Sequence, residues 1–243
     1  GRPYGSLMEL VEAGSVEVLR GPQGTLYGRN TIAGAIKVTS RQRGEPGGKI
    51  AVSAGNEGYK KVKAYADFNL SDSAGMSIAG LMVESDGFVN AGEFGKQGGK
   101  DVTAFRVAYD QSFGDGWDLK LSYDMAQDDS DPVPATPRGT YVTAANSTKE
   151  YIDVTDSDGA TLALTGPLGE WDMSLLYGRR TIENYLDSHI SCRFVQSMDQ
   201  EQDSLEISGN RDFGLVNITT GLFWFEETFD YEQDFCAFSS WGA

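Results

Sequence analysis

Val16-Glu17-Val18-Leu19-Arg20-Gly21-Pro22-Gln23-Gly24-Thr25-Leu26-Tyr27-Gly28-Arg29-Asn30, continued by Thr31-Ile32-Ala33-Gly34-Ala35-Ile36-Lys37-Val38-Thr39, is the stretch on which the fold turns. Two short alternating segments, 16–19 and 35–39, read as strands around a turn-rich centre with four glycines and one proline. Gly21-Pro22 predicts a tight turn directly after the first strand: proline fixes φ and removes a donor, and glycine tolerates positive φ. Gly24 and Gly28 permit further bends or close approach to a neighbouring wall. Upstream, Leu7, Met8, Leu10 and Val11 fit a short helical face ended by Gly14. Downstream, 41–49 (Arg-Gln-Arg-Gly-Glu-Pro-Gly-Gly-Lys) reads as a linker, because Gly and Pro break regular structure.

Beyond that linker the period is two. Phe105, Val107 and Tyr109 alternate with Arg106, Ala108 and Asp110, and Leu119, Leu121, Tyr123 and Met125 with Lys120, Ser122 and Asp124. Val62, Ala64, Ala66 and Phe68 alternate with Lys61, Lys63, Tyr65, Asp67 and Asn69 in the same way. Such alternation predicts strands with one apolar and one polar face. Nine are expected: 49–56, 59–70, 75–86, 101–113, 117–128, 159–166, 170–186, 203–213 and 215–228. Tight turns at 71–74, 114–116, 166–169 and 213–214 alternate with long loops at 87–100, 129–158 and 187–202. Short turns at one end and long loops at the other are the layout of an outer-membrane barrel. Several strands reach the ~9–11 residues that cross a bilayer, against ~5–6 for an average soluble strand. Charges on the polar faces would need partners in a small dry core but suit a wide, wet or plugged lumen. Phe113, Trp117, Trp171 and Phe223 to Phe225 are expected at strand ends, as an interfacial girdle.

The 243 residues carry a net charge of −16, unevenly spread. Residues 1–50 hold 7 Lys+Arg against 4 Asp+Glu, a net of +3, and residues 51–243 hold 13 against 32, a net of −19. That acidic body argues against a nucleic-acid partner, because phosphate repels it. One histidine and two cysteines leave no zinc knuckle and little room for histidine-dependent catalysis. The chain opens at Gly1 with neither Met nor signal peptide, which predicts a processed or partial chain.

The segment 16–39 resembles the C-terminal end of the plug domain of TonB-dependent outer-membrane receptors. The likeness rests on Glu17, Arg20, Gly21, Pro22 and Gln23, then Gly24, Leu26-Tyr27-Gly28, then Ala33-Gly34 and Ile36-Lys37-Val38. It departs where the family has a Gly-Gly pair, here Ala33-Gly34, and an Asn, here Lys37. The resemblance implies an all-β chain: residues 1–43 the C-terminal portion of a plug, and 44–243 the N-terminal portion of an unclosed transmembrane β-barrel of about nine strands. It implies location in the outer membrane of a Gram-negative bacterium, contact with lipid and lipopolysaccharide, and TonB as partner through a more N-terminal segment. Its function would be energy-coupled uptake of a scarce extracellular ligand, with a ferric siderophore as default and cobalamin or an oligosaccharide as alternatives. A surface β-sheet binding module without transport is the reading from another class. The resemblance also implies that Arg20 pairs with carboxylates of the inner barrel wall and locks the plug; the plain alternative is a solvated arginine.

Other candidates are weaker. The segment 92–100 lacks the Ser/Thr and the helix of a phosphate-binding loop. Asp153, Asp156 and Asp158 lack the spacing of a calcium loop, and the acid-rich segment 128–158 reads as a solvated loop. Asp110 with Asp124 is the one acid pair an enzyme reading could use, and no catalytic set, metal site or cofactor site is assigned. Cys192 and Cys236 both fall at the expected long-loop end, where an envelope location permits a disulfide. His189 with Tyr231, Phe235, Phe238 and Trp241 could contact a ligand there or simply pack the loops.

Overall fold

The computed structural model describes residues 13–22, 33–41, 43–92, 95–131, 152–189 and 193–235. Two strands, β1 (Ala13–Arg20) and β2 (Gly34–Ser40), pair antiparallel as a separate hairpin, with Val16 opposite Val38 and Glu17 opposite Lys37. Nine further strands make one antiparallel sheet: β3 (Gly47–Ala54), β4 (Lys60–Asn69), β5 (Ala74–Ser85), β8 (Lys100–Phe113), β9 (Trp117–Asp128), β10 (Ile152–Leu168), β11 (Trp171–His189), β12 (Arg193–Asp212) and β13 (Asn217–Phe235). Each pairs with its neighbour in chain order, and the sheet ends at β3 and β13 without closing. A two-residue pair, β6 (Val89–Asn90) with β7 (Lys96–Gln97), decorates the β5–β8 connection.

The register sorts the side chains. One lateral row runs Phe68, Met76, Tyr109, Leu121, Leu162, Tyr177, Leu205, Trp224. The row one residue away runs Asp67, Ser77, Ala108, Ser122, Thr161, Gly178, Ser204, Phe225. Directly opposed residues share a face and adjacent ones do not, so one face is apolar across eight strands and the other is small or polar until it reaches Phe225 on β13. A one-residue slip in any strand would invert this, which is why the pairing is well specified. The apolar face stays open: Ile50, Val62, Phe68, Leu121, Ile207 and Leu222 are all exposed. A continuous exposed apolar face of this extent is of the kind found on the outside of a transmembrane β-barrel. On β8 it reaches from Phe105 to Phe113, roughly 25–30 Å of strand at ~3.3 Å per residue, which matches the apolar band of a tilted barrel.

The tight turns join the strand pairs where the pattern placed them, except that β10 runs on through Leu168, so the expected turn at 166–169 contracts to Gly169 and Glu170. Gly116 N–H donates to the Phe113 carbonyl at 3.1 Å and Phe213 N–H to the Val216 carbonyl at 2.9 Å. Gly116, Gly169 and Gly214 supply the positive φ that three of these hairpins need. Phe113 faces Trp117, and Trp171 meets Phe213 edge-on at 6.4 Å with Arg211 over the Phe213 ring, so aromatics do ring the short-turn end.

Three expectations change. The expected loops at 129–158 and 187–202 give way to strand in part: β10 already begins at Ile152, and β11 and β12 pair as far as His189 with Arg193, while 132–151 and 190–192 lie outside the described residues. Here both faces are polar, as in Gln196-Ser197-Met198-Asp199-Gln200-Glu201, so no apolar period announces the strand. Second, Asp153, Asp156 and Asp158 lie on β10 itself, with Asp153 on the polar face and the other two on the opposite face. Third, Phe223 and Phe225 are not girdle residues. They lie mid-strand on the polar face, opposite Glu206 and Ser204, and only Trp224 joins the apolar row.

An arginine strap on the inner wall as candidate functional site

β2 ends at Ser40 and β3 starts at Gly47, and the segment between them is fastened to the polar face of the sheet. Arg41 grips Asp67 with both terminal nitrogens, Nη1 to Oδ2 at 2.8 Å and Nη2 to Oδ1 at 2.6 Å, and Nη2 also donates to Ser77 Oγ at 3.3 Å. Its guanidinium lies 4.1 Å from the Tyr65 ring centre, and Gly44 N–H adds a bond to Asp67 Oδ2 at 3.2 Å. Arg43 repeats the motif: Nε and Nη2 each donate to Asp110 at 2.8 Å, and Nη1 donates to Asn69 Oδ1 at 2.6 Å. Hydrogen bonding to Asp110 raises the Arg43 pKa above its ordinary value, so the strap stays cationic.

The wall is shaped for this. Asn69, Gly75 and Asp110 are direct neighbours on β4, β5 and β8, and a Cβ on Gly75 would stand 2.2 Å from Arg43 Nε. Glycine therefore provides the gap in which the Arg43 side chain lies flat. The two anchors differ in burial: the Asp67 side chain is 3% exposed and that of Asp110 31%. Bidentate arginine–carboxylate pairs of this kind are charge-assisted and geometrically selective, and removing one partner of a buried one is costly.

The sequence-predicted site residues are distributed as follows. Arg20 is exposed at the end of β1, opposite Gly34, and the described fastening of 41–46 to the wall runs through Arg41 and Arg43. Glu17 faces Lys37 at 3.8 Å, which gives the departing Lys37 a cross-strand role. Gly21 has φ +86° and its N–H donates to the Ala33 carbonyl at 3.3 Å. Gly34 has φ +144°, and a Cβ there would lie 2.3 Å from the Leu19 carbonyl oxygen. Pro22 follows the turn; Gln23, Gly24, Leu26, Tyr27, Gly28, Cys192, Cys236, Phe238 and Trp241 lie outside the described residues. Asp110 and Asp124 do not converge as an acid pair, since Asp110 holds Arg43, and both Asp124 oxygens accept from Arg180 Nη2 at 3.0 and 2.7 Å. Sequence reasoning passed over Arg41 and Arg43 as linker. The available signal was the set of Asp67, Asn69 and Asp110 on polar strand faces, with an Arg-x-Arg next to them.

No protein-family model matches the chain. The vitamin B12 transporter BtuB of Vibrio vulnificus is 30% identical over 102 residues, which cover 41% of this chain and 17% of that protein. The crystal structure of the ferric yersiniabactin uptake receptor FyuA from Yersinia pestis superposes with a TM-score of 0.78 at 20% identity, over 93% of this chain and 38% of FyuA. The ferripyoverdine receptor of the outer membrane of Pseudomonas aeruginosa superposes with a TM-score of 0.72 at 12% identity, over 90% of this chain and 32% of that receptor. The chain thus spans well under half the length of the relatives it matches. Its unclosed nine-strand wall and the hairpin before it have the fold of a stretch of these outer-membrane receptors, to which the chain is similar.

Proposed function

We propose that the protein imports a ferric siderophore complex across the outer membrane, driven through TonB. Residues 1–43 are then the end of the plug and 44–243 the first part of the barrel, with the strap as the joint between them. The observation that carries this reading is the strap itself: two arginines tie the segment after the β1–β2 hairpin to the inner wall of a lipid-facing sheet. A pull on the hairpin would load those ion pairs first. Arg20, at the end of β1, adds a further plug contact to wall carboxylates in the complete receptor. TonB binds a more N-terminal segment, and the exposed apolar face meets lipid and lipopolysaccharide. Receptors for iron complexes, FyuA and the ferripyoverdine receptor, share this architecture over most of the chain, which supports iron as cargo.

A cobalamin cargo is the second reading, supported by the 30% identity to BtuB. Uptake of labelled ferric siderophores and of labelled cobalamin by the full-length receptor, under iron limitation and with or without TonB, separates the two. TonB-dependent accumulation of the iron complex alone is the expected result. Uptake that is unchanged when the receptor gene is deleted would falsify both.

A further inference from the structure

The short turn between β12 and β13 differs from its neighbours. The turns at 71–74 and 114–116 carry Asp72 and Asp115, whereas this one reads Phe213-Gly214-Leu215-Val216. It is closed by the bond from the Phe213 N–H to the Val216 carbonyl, and Gly214 N–H donates to Asp212 Oδ1 at 2.7 Å. Leu215 is fully exposed, and Phe213, Val216 and, at the end of β10, Leu168 are open as well. An apolar tip continuous with the apolar face of the sheet suits a lipid boundary rather than water.

A cation is set into that surface. Arg211 lies on the apolar face, in the β12 column of Leu205, Ile207 and Gly209. Among the described residues it is the one Lys or Arg on that face at the short-turn end. Its guanidinium carbon stands 4.4 Å from the Phe213 ring centre and 6.0 Å from that of Trp171. A Cβ on Gly209 would stand 3.3 Å from Trp171 Cε3, so glycine leaves room for the indole beside Arg211. Glu170, from the β10–β11 turn, accepts from Nη2, and no other acceptor meets the guanidinium among the described residues. The Glu170 side chain is 72% exposed against 29% for Arg211, so the counter-ion faces water while the cation sits among apolar groups. The other N–H donors of the planar fork remain available. Asp203 and Arg211 bound the apolar column of β12, roughly 26 Å of strand at ~3.3 Å per residue, which sets Arg211 within reach of the headgroups.

We infer that Arg211, between the Phe213 and Trp171 rings, binds the phosphate of a membrane glycerophospholipid whose acyl chains lie along Ile207 and Ile218. Guanidinium and phosphate match through paired charge-assisted hydrogen bonds. Short turns of outer-membrane barrels face the periplasm, so the lipid belongs to the periplasmic leaflet. The inference rests on the lipid-facing reading of the apolar face and adds a headgroup site to it. Glu170 competes with the phosphate for the same fork and repels it.

Native mass spectrometry of the full-length receptor, purified in detergent and titrated with dioleoyl phosphatidylglycerol, tests the site. The unmodified receptor is expected to retain one more phosphatidylglycerol than Arg211→Gln at equal lipid concentration. Glu170→Gln is expected to fill that site at several-fold lower lipid concentration, a gain that a misfolded variant cannot produce. Dioleoylglycerol, which has the chains without the phosphate, should be retained equally by all of them, and excess inorganic phosphate should displace nothing, because the acyl chains hold the lipid. Equal phosphatidylglycerol retention in Arg211→Gln, weaker retention in Glu170→Gln, or displacement by inorganic phosphate overturns the inference. Insertion of the unmodified receptor into phosphatidylglycerol vesicles checks the lipid-facing reading separately. A receptor that inserts but retains lipid independently of Arg211 keeps that reading and loses this site; one that does not insert loses both.

Discussion

Asp110 faces Lys120 across the β8–β9 ladder and gives both of its carboxylate oxygens to Arg43, from the segment that leads into β3. A second cation therefore stands opposite the carboxylate if Arg43 is drawn off, which lowers the cost of opening that anchor. Asp67 has no such neighbour in its row, where Gly47 and Ser77 flank it, and its side chain is almost fully buried. Asp67→Asn is accordingly expected to destabilise the receptor by about 3–5 kcal/mol, the cost of breaking a largely buried bidentate pair and leaving the partly buried Arg41 charge without its carboxylate. Asp110→Asn should cost about 1–3 kcal/mol, as for a lost charged hydrogen bond. Thermal unfolding of the full-length protein in detergent measures both, and equal losses would contradict a graded strap. Arg41→Lys should not rescue Asp67, because lysine cannot reproduce the bidentate fork.

Gly75 offers a route to the same anchor without touching a charge. A Cβ there would overlap the Arg43 guanidinium and stem. Gly75→Ala is expected to push Arg43 off Asp110 and to reproduce the Asp110→Asn phenotype in sense and approximate size. Combining the two should add little, since both break one interaction. A fully additive double variant would mean that Gly75 acts through β5 rather than through the strap.

Neighbouring residues on β11 discriminate the lipid face from the lumen. Leu175 belongs to the apolar row with Leu164 and Ile207, while Ser174 points to the polar face opposite Thr165 and Ser208. Leu175→Arg is expected to cost about 2–4 kcal/mol, the depth-dependent penalty for arginine on the lipid face of a barrel. Ser174→Arg should fold nearly as well as the parent. Folding yields into lipid vesicles compare them, and equal tolerance would remove the membrane assignment.

The nine strands were legible because their outer faces keep an apolar period through residues such as Leu119, Leu121 and Tyr123. The signal stops where that face turns polar. From Gln196 to Asp203 a row of Gln196, Met198, Gln200 and Gln202 alternates with a row of Ser197, Asp199, Glu201 and Asp203, so no apolar period marks this part of β12. The strap stayed hidden for a different reason. Glycine and proline around Arg41 and Arg43 describe a backbone without regular structure, but the ordering there comes from side chains meeting Asp67 and Asp110, 26 and 67 residues away. Local composition cannot report a partner at that separation. The hairpin was readable as two strands at 16–19 and 35–39, which the structure extends to Ala13–Arg20 and Gly34–Ser40, because Gly21 and Gly34 serve backbone geometry, which is local.

Gly34 carries that geometry to a test. Its φ is +144°, and a methyl group on its Cα would lie 2.3 Å from the Leu19 carbonyl oxygen, which leaves no room for a side chain. Gly34→Ala is expected to splay β1 from β2 and expose the hairpin to protease, whereas Ala33→Gly, at a residue without positive φ, should be nearly neutral. Limited proteolysis of the purified receptor distinguishes them.

Acid should tighten the connection after β9. Burial, followed by the charges of Asp156, Asp101 and Asp128, pushes the Asp129 carboxyl above its ordinary range. A carboxyl raised in the folded state binds its proton more readily there than in the unfolded chain. Its contribution to stability is therefore gained as pH falls through the folded pKa, and is lost as pH rises above it. Local opening of the 129–131 segment, followed by hydrogen exchange, should slow as pH drops from neutrality toward the raised value, after correction for intrinsic exchange. Asp129→Asn should show the slow exchange already at neutral pH and no further response. An aspartate and an asparagine form with the same pH profile would place the strain elsewhere in the acidic cluster.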